Sequence, residues 1–229
     1  MSAPQSSQSE LPPVSDQPQM QWVAISQIRT GLQGLRGTRK PSSSGTQELS
    51  PIPLRVVPTA QGEYELLDGF KRLGRWVQLD LKQVPVIIER SRSSVDQKVA
   101  VLEANRPPRT LSPMDEARVV WDLRHNEKLG PATIAKVCGR KRRWVLQRLT
   151  LAEQLCESLQ KRLDEGGIGV TLAHALCVLT DEEQQTVVSA IEQHGLKGQE
   201  ALSLLSAYRV AESTFERRQL LRAPLEVVR

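Results

Sequence analysis

The side chains best suited to bind a ligand lie in residues 129–149, LGPATIAKVCGRKRRWVLQRL. Residues 140–143 are four consecutive cations, and no acidic residue occurs between positions 136 and 150. Concentrated cations of this kind can neutralise the phosphates of a nucleic acid backbone. The segment therefore predicts contact with a polyanion.

The apolar residues of this segment predict the elements that must position the cations. Ile134 and Cys138 are four residues apart, as are Val145 and Leu149, so each pair lies on one face of a helix. Gly139 stands between the two pairs, where a sharp turn favours a residue that tolerates positive φ. We therefore predict a helix-turn-helix at residues 131–150 whose second helix carries the cations.

The second helix then has two kinds of outward side chain. Arg143 and Gln147 lie about one turn apart and suit base edges in the major groove, Arg toward guanine and Gln toward adenine. The other basic residues are predicted to bind phosphates and to set the orientation: Arg140, Lys141, Arg142 and Arg148. The alternative is an ordinary helical hairpin with a solvated basic face. The spacing and the one-sided charge together favour DNA binding.

Composition narrows the classes of function. Aromatic residues make up only 3% of the 229 residues, which argues against a single-strand binder that stacks bases on aromatic platforms. The net charge of +5 is compatible with a polyanionic partner. No apolar run approaches the length of a membrane span, and the first twenty residues lack the apolar core of a secretion signal, so we expect a cytoplasmic protein that binds no membrane.

Metal binding is not expected. The three cysteines, Cys138, Cys156 and Cys177, lie in helical patterns and suit buried positions in a reducing compartment. His174 and Cys177 are three residues apart, but no second matching pair accompanies them, so core packing is the favoured interpretation.

The chain divides into four predicted regions. Residues 1–20 are polar and predict a disordered tail, and residues 21–104 predict a small mixed α/β domain. Residues 105–210 predict an all-helical domain containing the helix-turn-helix, and residues 211–229 a C-terminal tail. The first domain is expected to have strands at 22–28, 52–57, 64–67 and 84–88, with helices at 69–78 and 94–105.

The helical domain begins with a strong start signal. Ser112 suits an N-cap, Pro113 the first turn, and Asp115 and Glu116 the positive end of a helix that runs to about residue 126. After the helix-turn-helix, further helices are predicted at 151–164, 171–179, 181–194 and 197–210. A bundle of four or five helices and an overall α+β fold class follow.

The order of these motifs resembles the ParB family of partition proteins across residues 22–205. The shared features are a PI-x-x-R-V-like strand at 51–56, Asp68-Gly69 followed by Lys71-Arg72, a short V-P-V strand, Asn105 followed by the segment 111–117, and the helix-turn-helix. His174-Ala175 and His194-Gly195-Leu196 also stand at positions similar to those of the family.

The resemblance implies more than DNA binding. It implies a ParB/sulfiredoxin-like N-terminal domain that binds CTP between protomers, a palindromic DNA site, a ParA-type ATPase partner and a homodimer. Carried over to this chain, the nucleotide would contact Gly69, Lys71, Arg72 and Asn105. The family motif G-E-R-R-x-R-A is altered at 69–75, and in E-N-x-x-R only the Asn is kept. Little room remains after residue 210 for the family's C-terminal dimerisation domain.

Three functions remain open, of which the first is favoured. The first is a sequence-specific duplex-DNA binder in plasmid or chromosome partition or in mobile-element maintenance. The others are a transcriptional repressor without nucleotide switching and a weak CTP-dependent clamp, whose CTP hydrolysis is the one enzymatic activity that we keep. Sulfiredoxin chemistry is excluded because residues 1–137 contain no cysteine. A nuclease would need clustered carboxylates, which Asp68, Asp80 and Glu89 do not form in sequence.

Overall fold

The computed structural model describes residues 20–37, 52–90, 93–104 and 111–224. Within these ranges the chain forms two compact units. The first contains residues 20–31, 52–90 and 93, and the second contains residues 32–37, 94–104 and 111–224. The α+β class predicted from the sequence is confirmed.

The first unit is a five-stranded mixed sheet with one helix. Its strands occur in the spatial order β1-β5-β3-β4-β2. They are β1 (Met20–Ala24), β2 (Ile28–Arg29), β3 (Leu54–Pro58), β4 (Tyr64–Asp68) and β5 (Gln83–Ile88). The pairs β1–β5 and β3–β4 are antiparallel, whereas β2–β4 and β3–β5 are parallel.

The helix of this unit, α1 (Phe70–Gln78), covers one face of the sheet. Leu73 and Trp76 are buried against Val56, Leu66 and Val86, which lie one each on the three central strands. Apolar side chains at alternate strand positions share a face, which is why this short helix can close the core. The N-terminus of α1 consequently lies directly after β4.

The predicted strand at 22–28 is shorter in the structure than its alternation suggests. Strand β1 ends at Ala24, which pairs with Gln83, the first residue of β5. Beyond this pair no partner strand continues, so the chain forms a 3₁₀ turn at Ile25–Gln27 and then joins the other edge of the sheet as β2.

The second unit consists mainly of α-helices. They are α2 (Ser94–Glu103), α3 (Pro113–His125), α4 (Pro131–Val137), α5 (Arg142–Gln154), α6 (Glu157–Glu165), α7 (Val170–Leu176), α8 (Asp181–Gln193), α9 (Gln199–Val210) and α10 (Thr214–Arg222). Helix α3 begins as predicted: Ser112 Oγ accepts from the backbone N–H of Asp115, whose carboxylate accepts from the backbone N–H of Ser112. No helix within the described ranges is long and apolar enough to cross a membrane.

Two apolar clusters build this unit. One joins α2 to α3, α4 and α5, with Val101, Leu123, Ile134 and Val145 fully buried. The other joins α3 and α5 to α6–α9. Because α2 packs into the first cluster, it belongs with the helical unit, whereas the predicted boundary at 104/105 assigns it to the N-terminal domain.

The predicted helix at 151–164 is wrong in its start. Helix α5 continues to Gln154, the chain is extended at Leu155, and α6 starts at Glu157. The buried side chain of Gln184 in α8 binds the backbone groups at this break. Its Oε1 accepts from the N–H of Cys156 at 3.0 Å, and its Nε2 donates to the carbonyl of Gln154 at 2.7 Å. A side chain thirty positions away thus sets the helix boundary.

The predicted C-terminal tail at 211–229 contains a helix instead. Ser213 and Glu216 form a capping box at the start of α10, each side chain accepting from the other's backbone N–H. Arg217 pairs with Glu183 at 2.7 Å and lies over the ring of Tyr208, which holds α10 against α8 and α9. Residues 1–19 and 225–229, which make up nearly all of the predicted N-terminal tail and the end of the C-terminal one, lie outside the described residues.

Candidate nucleic-acid interface

Helices α4 and α5 form the predicted helix-turn-helix. Ile134, Ala135 and Cys138 are buried on the inner side of α4. Gly139 has φ of +57°, and the N–H of Arg140 donates to the carbonyl of Ala135 at 2.9 Å. A left-handed residue after a helix closes its last carbonyls in this way. The chain is thereby redirected into α5.

Helix α5 buries Val145 and Leu149 and turns its other side outward. Lys141, Arg142 and Arg143 are exposed, and Gln147 is half-buried one turn after Arg143. We call the surface formed by Lys141, Arg142, Arg143, Gln147 and the intervening exposed Leu146 the recognition surface. Among the described residues, none of its three cations forms an ion pair with a carboxylate. These cations are therefore available to a ligand.

The charge at the start of α5 is opposite in sign to that which stabilises a helix. The N-terminus of a helix carries partial positive charge and favours acidic side chains. The first turns of α3, α8 and α10 follow this rule, whereas that of α5 contains no acid and begins with Arg142 and Arg143. An anion bound here would gain from the cations, the free backbone N–H groups and the helix dipole together.

Arg148 lies differently from its predicted place at a phosphate. Its guanidinium pairs with Glu116 of α3, with Nε and Nη2 at 2.7 and 2.6 Å from Oε2, and its side chain is only 14% exposed. Two charge-assisted hydrogen bonds to one carboxylate oxygen hold the guanidinium in place. Arg148 therefore holds α5 against α3 at the edge of the recognition surface.

Trp144 joins the exposed Arg140 to this pair, a role that sequence reasoning missed. The guanidinium carbons of Arg140 and Arg148 lie 5.2 and 5.3 Å from its ring, within the range of cation–π attraction. The i+4 spacing of Arg148 after Trp144 on α5 is the signal that could have revealed part of it, whereas Arg140 precedes the N-cap of the helix. Arg140 is thereby positioned beside the start of α5.

The predicted nucleotide residues lie in the first unit or outside the described residues. Gly69 precedes α1 with φ of +102°, and Lys71 is exposed on its first turn. Arg72 is engaged by the protein: Nη1 donates to the carbonyls of Ile52 and Pro53 at 2.7 and 2.6 Å, and Nη2 to Asp68 at 2.9 Å. Asn105 lies outside the described residues.

Gly69→Ala is expected to destabilise the first unit by about 1–3 kcal/mol. A Cβ at Gly69 would overlap Leu54 Cδ2, and φ of +102° is unfavourable for any residue with a side chain. Gly74→Ala is the matched control, because it lies within α1 with no atom near its Cβ and should stabilise by about 0.5–1 kcal/mol. Equal unfolding midpoints for the two variants in urea would contradict this account of Gly69.

His174 lies on α7, and Cys177 is the C-cap residue of that helix. The Cys177 thiol donates to the carbonyl of Ala173 at 3.2 Å, and burial raises its pKa to about 11. Within the described residues, no group of three or more His, Cys, Asp or Glu side chains could hold a metal ion. Burial, reinforced by the nearby Arg148 guanidinium, lowers the pKa of His174 below its ordinary value.

This lowered pKa predicts a loss of stability in acid. The unfolded chain takes up a proton on His174 near pH 6.5, whereas the folded protein does so only at lower pH. The free energy of unfolding should therefore fall as the pH drops below about 6.5 and be insensitive to this group above it. Urea titrations of the wild type and His174→Gln between pH 5 and 8 measure this, and an unchanged pH slope in the variant would refute it.

Known proteins are similar to this chain in sequence. Residues 109–208 match the ParB HTH domain family. A probable chromosome-partitioning protein ParB of Vibrio cholerae is 29% identical over 148 residues, which are 65% of this chain and 49% of that protein. A nucleoid occlusion protein of Listeria monocytogenes is 24% identical over 138 residues, 60% of this chain and 48% of that protein. The chain thus spans about half the length of the curated relatives that it matches.

A solved structure shows the same fold. It is a C-terminally truncated ParB from Caulobacter crescentus complexed to the centromeric parS site, which aligns with a TM-score of 0.50 at 20% identity and covers 81% of this chain and 98% of that one. The predicted resemblance is confirmed for residues 109–208, which carry the ParB HTH domain, and the chain is similar in sequence to ParB and nucleoid occlusion proteins.

Proposed function

We propose that this chain binds duplex DNA sequence-specifically through the recognition surface and acts in the partition of a chromosome or plasmid or in the maintenance of a mobile element. The observation that carries this proposal is the unpaired cationic start of α5. Arg143 and Gln147 read base edges in the major groove, and Lys141 and Arg142 bind phosphates.

The physical reason is that a bound phosphate removes a local cost. Arg142 and Arg143 repel one another and the positive end of α5 in the free protein. Side chains that weaken a fold locally without a partner in it are typical of functional sites. Duplex DNA provides regularly spaced phosphates and releases counterions when they are neutralised, which offsets this repulsion.

Three further features support the proposal. Val145, Leu149 and the Arg148–Glu116 pair attach α5 firmly to α3 and α4, so that the outer side chains are presented from a rigid helix. The Vibrio cholerae relative is described as a probable partitioning protein and the Listeria monocytogenes relative as a nucleoid occlusion protein.

A repressor and a CTP-dependent clamp are the alternatives. A clamp would need phosphate contacts at Gly69 and Lys71, because Arg72 already donates to three protein oxygens. A homodimer would place two recognition surfaces on a palindrome, with half-sites about one helical turn apart. A ParA-type ATPase is the partner expected for partition.

The test is a pull-down of fragmented genomic DNA with the purified chain, with and without CTP, read by sequencing. We expect a few sharp peaks that share a palindrome, and their loss with Arg143→Ala. Spreading of the peaks on addition of CTP would favour the clamp, whereas unchanged peaks would favour a site marker or a repressor. Diffuse, salt-sensitive binding without peaks would refute sequence-specific recognition.

A further inference from the structure

Leu146 is an apolar side chain within the polar recognition surface. It is 41% exposed, one turn after Arg142 and next to Gln147. The core side of α5 is already occupied by Val145 and Leu149, which are 0% and 7% exposed. The hydroxyl of Thr150 donates to the backbone carbonyl of Leu146 at 3.0 Å.

A single exposed leucine is ordinary on a protein surface, so its position is what matters. Arg142, Arg143, Leu146 and Gln147 occupy positions i, i+1, i+4 and i+5 of α5, which form one continuous stripe. A helix lying in the major groove along this stripe would remove the Leu146 side chain from water. This is favourable only if the groove offers an apolar group at the same place.

The major groove offers one such group on its base edges, the C5-methyl of thymine. We infer that Leu146 contacts a thymine methyl and so selects thymine at one position of the DNA site; the inference rests on the proposed function. Neighbouring side chains on a helix stand about 5–6 Å apart and base pairs about 3.4 Å. The thymine therefore lies within two base pairs of the base that Arg143 or Gln147 reads.

The experiment begins with the duplex most enriched from a random library by the full chain. Each thymine of that duplex is then replaced in turn by deoxyuridine, which removes the methyl and keeps every hydrogen-bonding group. We expect one such replacement in each half-site to weaken binding of the wild type about fourfold, the value of one buried methyl group. Leu146→Ala should bind the unmodified duplex more weakly by a similar factor and be indifferent to that same replacement.

Val137→Ala is the matched control, since Val137 is an apolar residue 37% exposed on α4, outside the recognition surface. It should keep the sensitivity of the wild type to deoxyuridine. Alanine favours helix formation, so Leu146→Ala should fold normally, which circular dichroism checks.

The inference is overturned if no deoxyuridine replacement affects the wild type, or if Leu146→Ala keeps the same sensitivity at the same thymine. It is overturned separately from the proposed function, because enrichment of a defined duplex by the wild type already establishes sequence-specific binding. Failure to enrich any sequence would refute both.

Discussion

Gln184→Met is expected to lower the free energy of unfolding by about 2–4 kcal/mol, since the buried N–H of Cys156 is left without a partner and two part-buried carbonyls each lose a hydrogen bond. Gln184 is fully buried and binds three backbone groups: the N–H of Cys156 and the carbonyls of Gln154 and Leu179. Methionine has a similar shape but can form none of these bonds. The junction between α5 and α6 would lose the bonds at Gln154 and Cys156, and the turn before α8 would lose the bond at Leu179.

Urea unfolding followed by circular dichroism measures this effect. Gln185→Met is the matched control, because Gln185 is the exposed neighbour on α8 and should change stability by at most about 0.5 kcal/mol. Similar destabilisation by both variants would show that the side chain of Gln184 does not hold the junction. Because α5 carries the recognition surface, Gln184→Met should also lose DNA binding at a lower temperature than Gln185→Met does.

Arg143→Ala is expected to weaken binding to the selected duplex by about 1–3 kcal/mol while changing binding to random duplex far less. Arg143 is exposed, four residues before Gln147, and pairs with no carboxylate among the described residues. Its guanidinium is therefore free to bind O6 and N7 of guanine. A lost base contact reduces discrimination at one base pair.

Lys141→Ala separates this role from simple charge. Lys141 is the exposed N-cap residue of α5, and its loss should weaken all duplexes alike and lower the slope of log affinity against log salt by about one. Fluorescence anisotropy at several salt concentrations gives both quantities. If the two variants lose affinity equally on selected and random duplexes, the division between base and phosphate contacts is wrong.

Local signals predicted much of the fold and the exposed position of the cations at the start of α5. The apolar spacing of Ile134 and Cys138 located α4, and the Ser112 capping box located α3. Such features depend on residues within one or two helical turns, which a sequence displays directly. The capping box at Ser213 is equally local, so the start of α10 could also have been predicted from the sequence.

Interactions across long sequence separations were not predictable in this way. Gln184 binds the end of α5 from thirty residues away. Glu116, thirty-two residues from Arg148, pairs with it and keeps its guanidinium against α3. Period and charge alone place Arg148 beside the other cations of α5, because nothing near it in sequence announces Glu116 as its partner. Tertiary packing thus determines the position of Arg148, whereas the exposed positions of Lys141, Arg142 and Arg143 follow from the sequence.

The most direct measurement of the central claim compares two variants of equal charge. One replaces Lys141, Arg142 and Arg143 by alanine, and the other replaces three exposed arginines of α9 and α10, Arg209, Arg218 and Arg222. If the recognition surface binds DNA, the first variant should lose about 100-fold or more in affinity for the selected duplex, and the second only a few-fold. Equal losses would show that total charge, rather than the start of α5, binds the DNA.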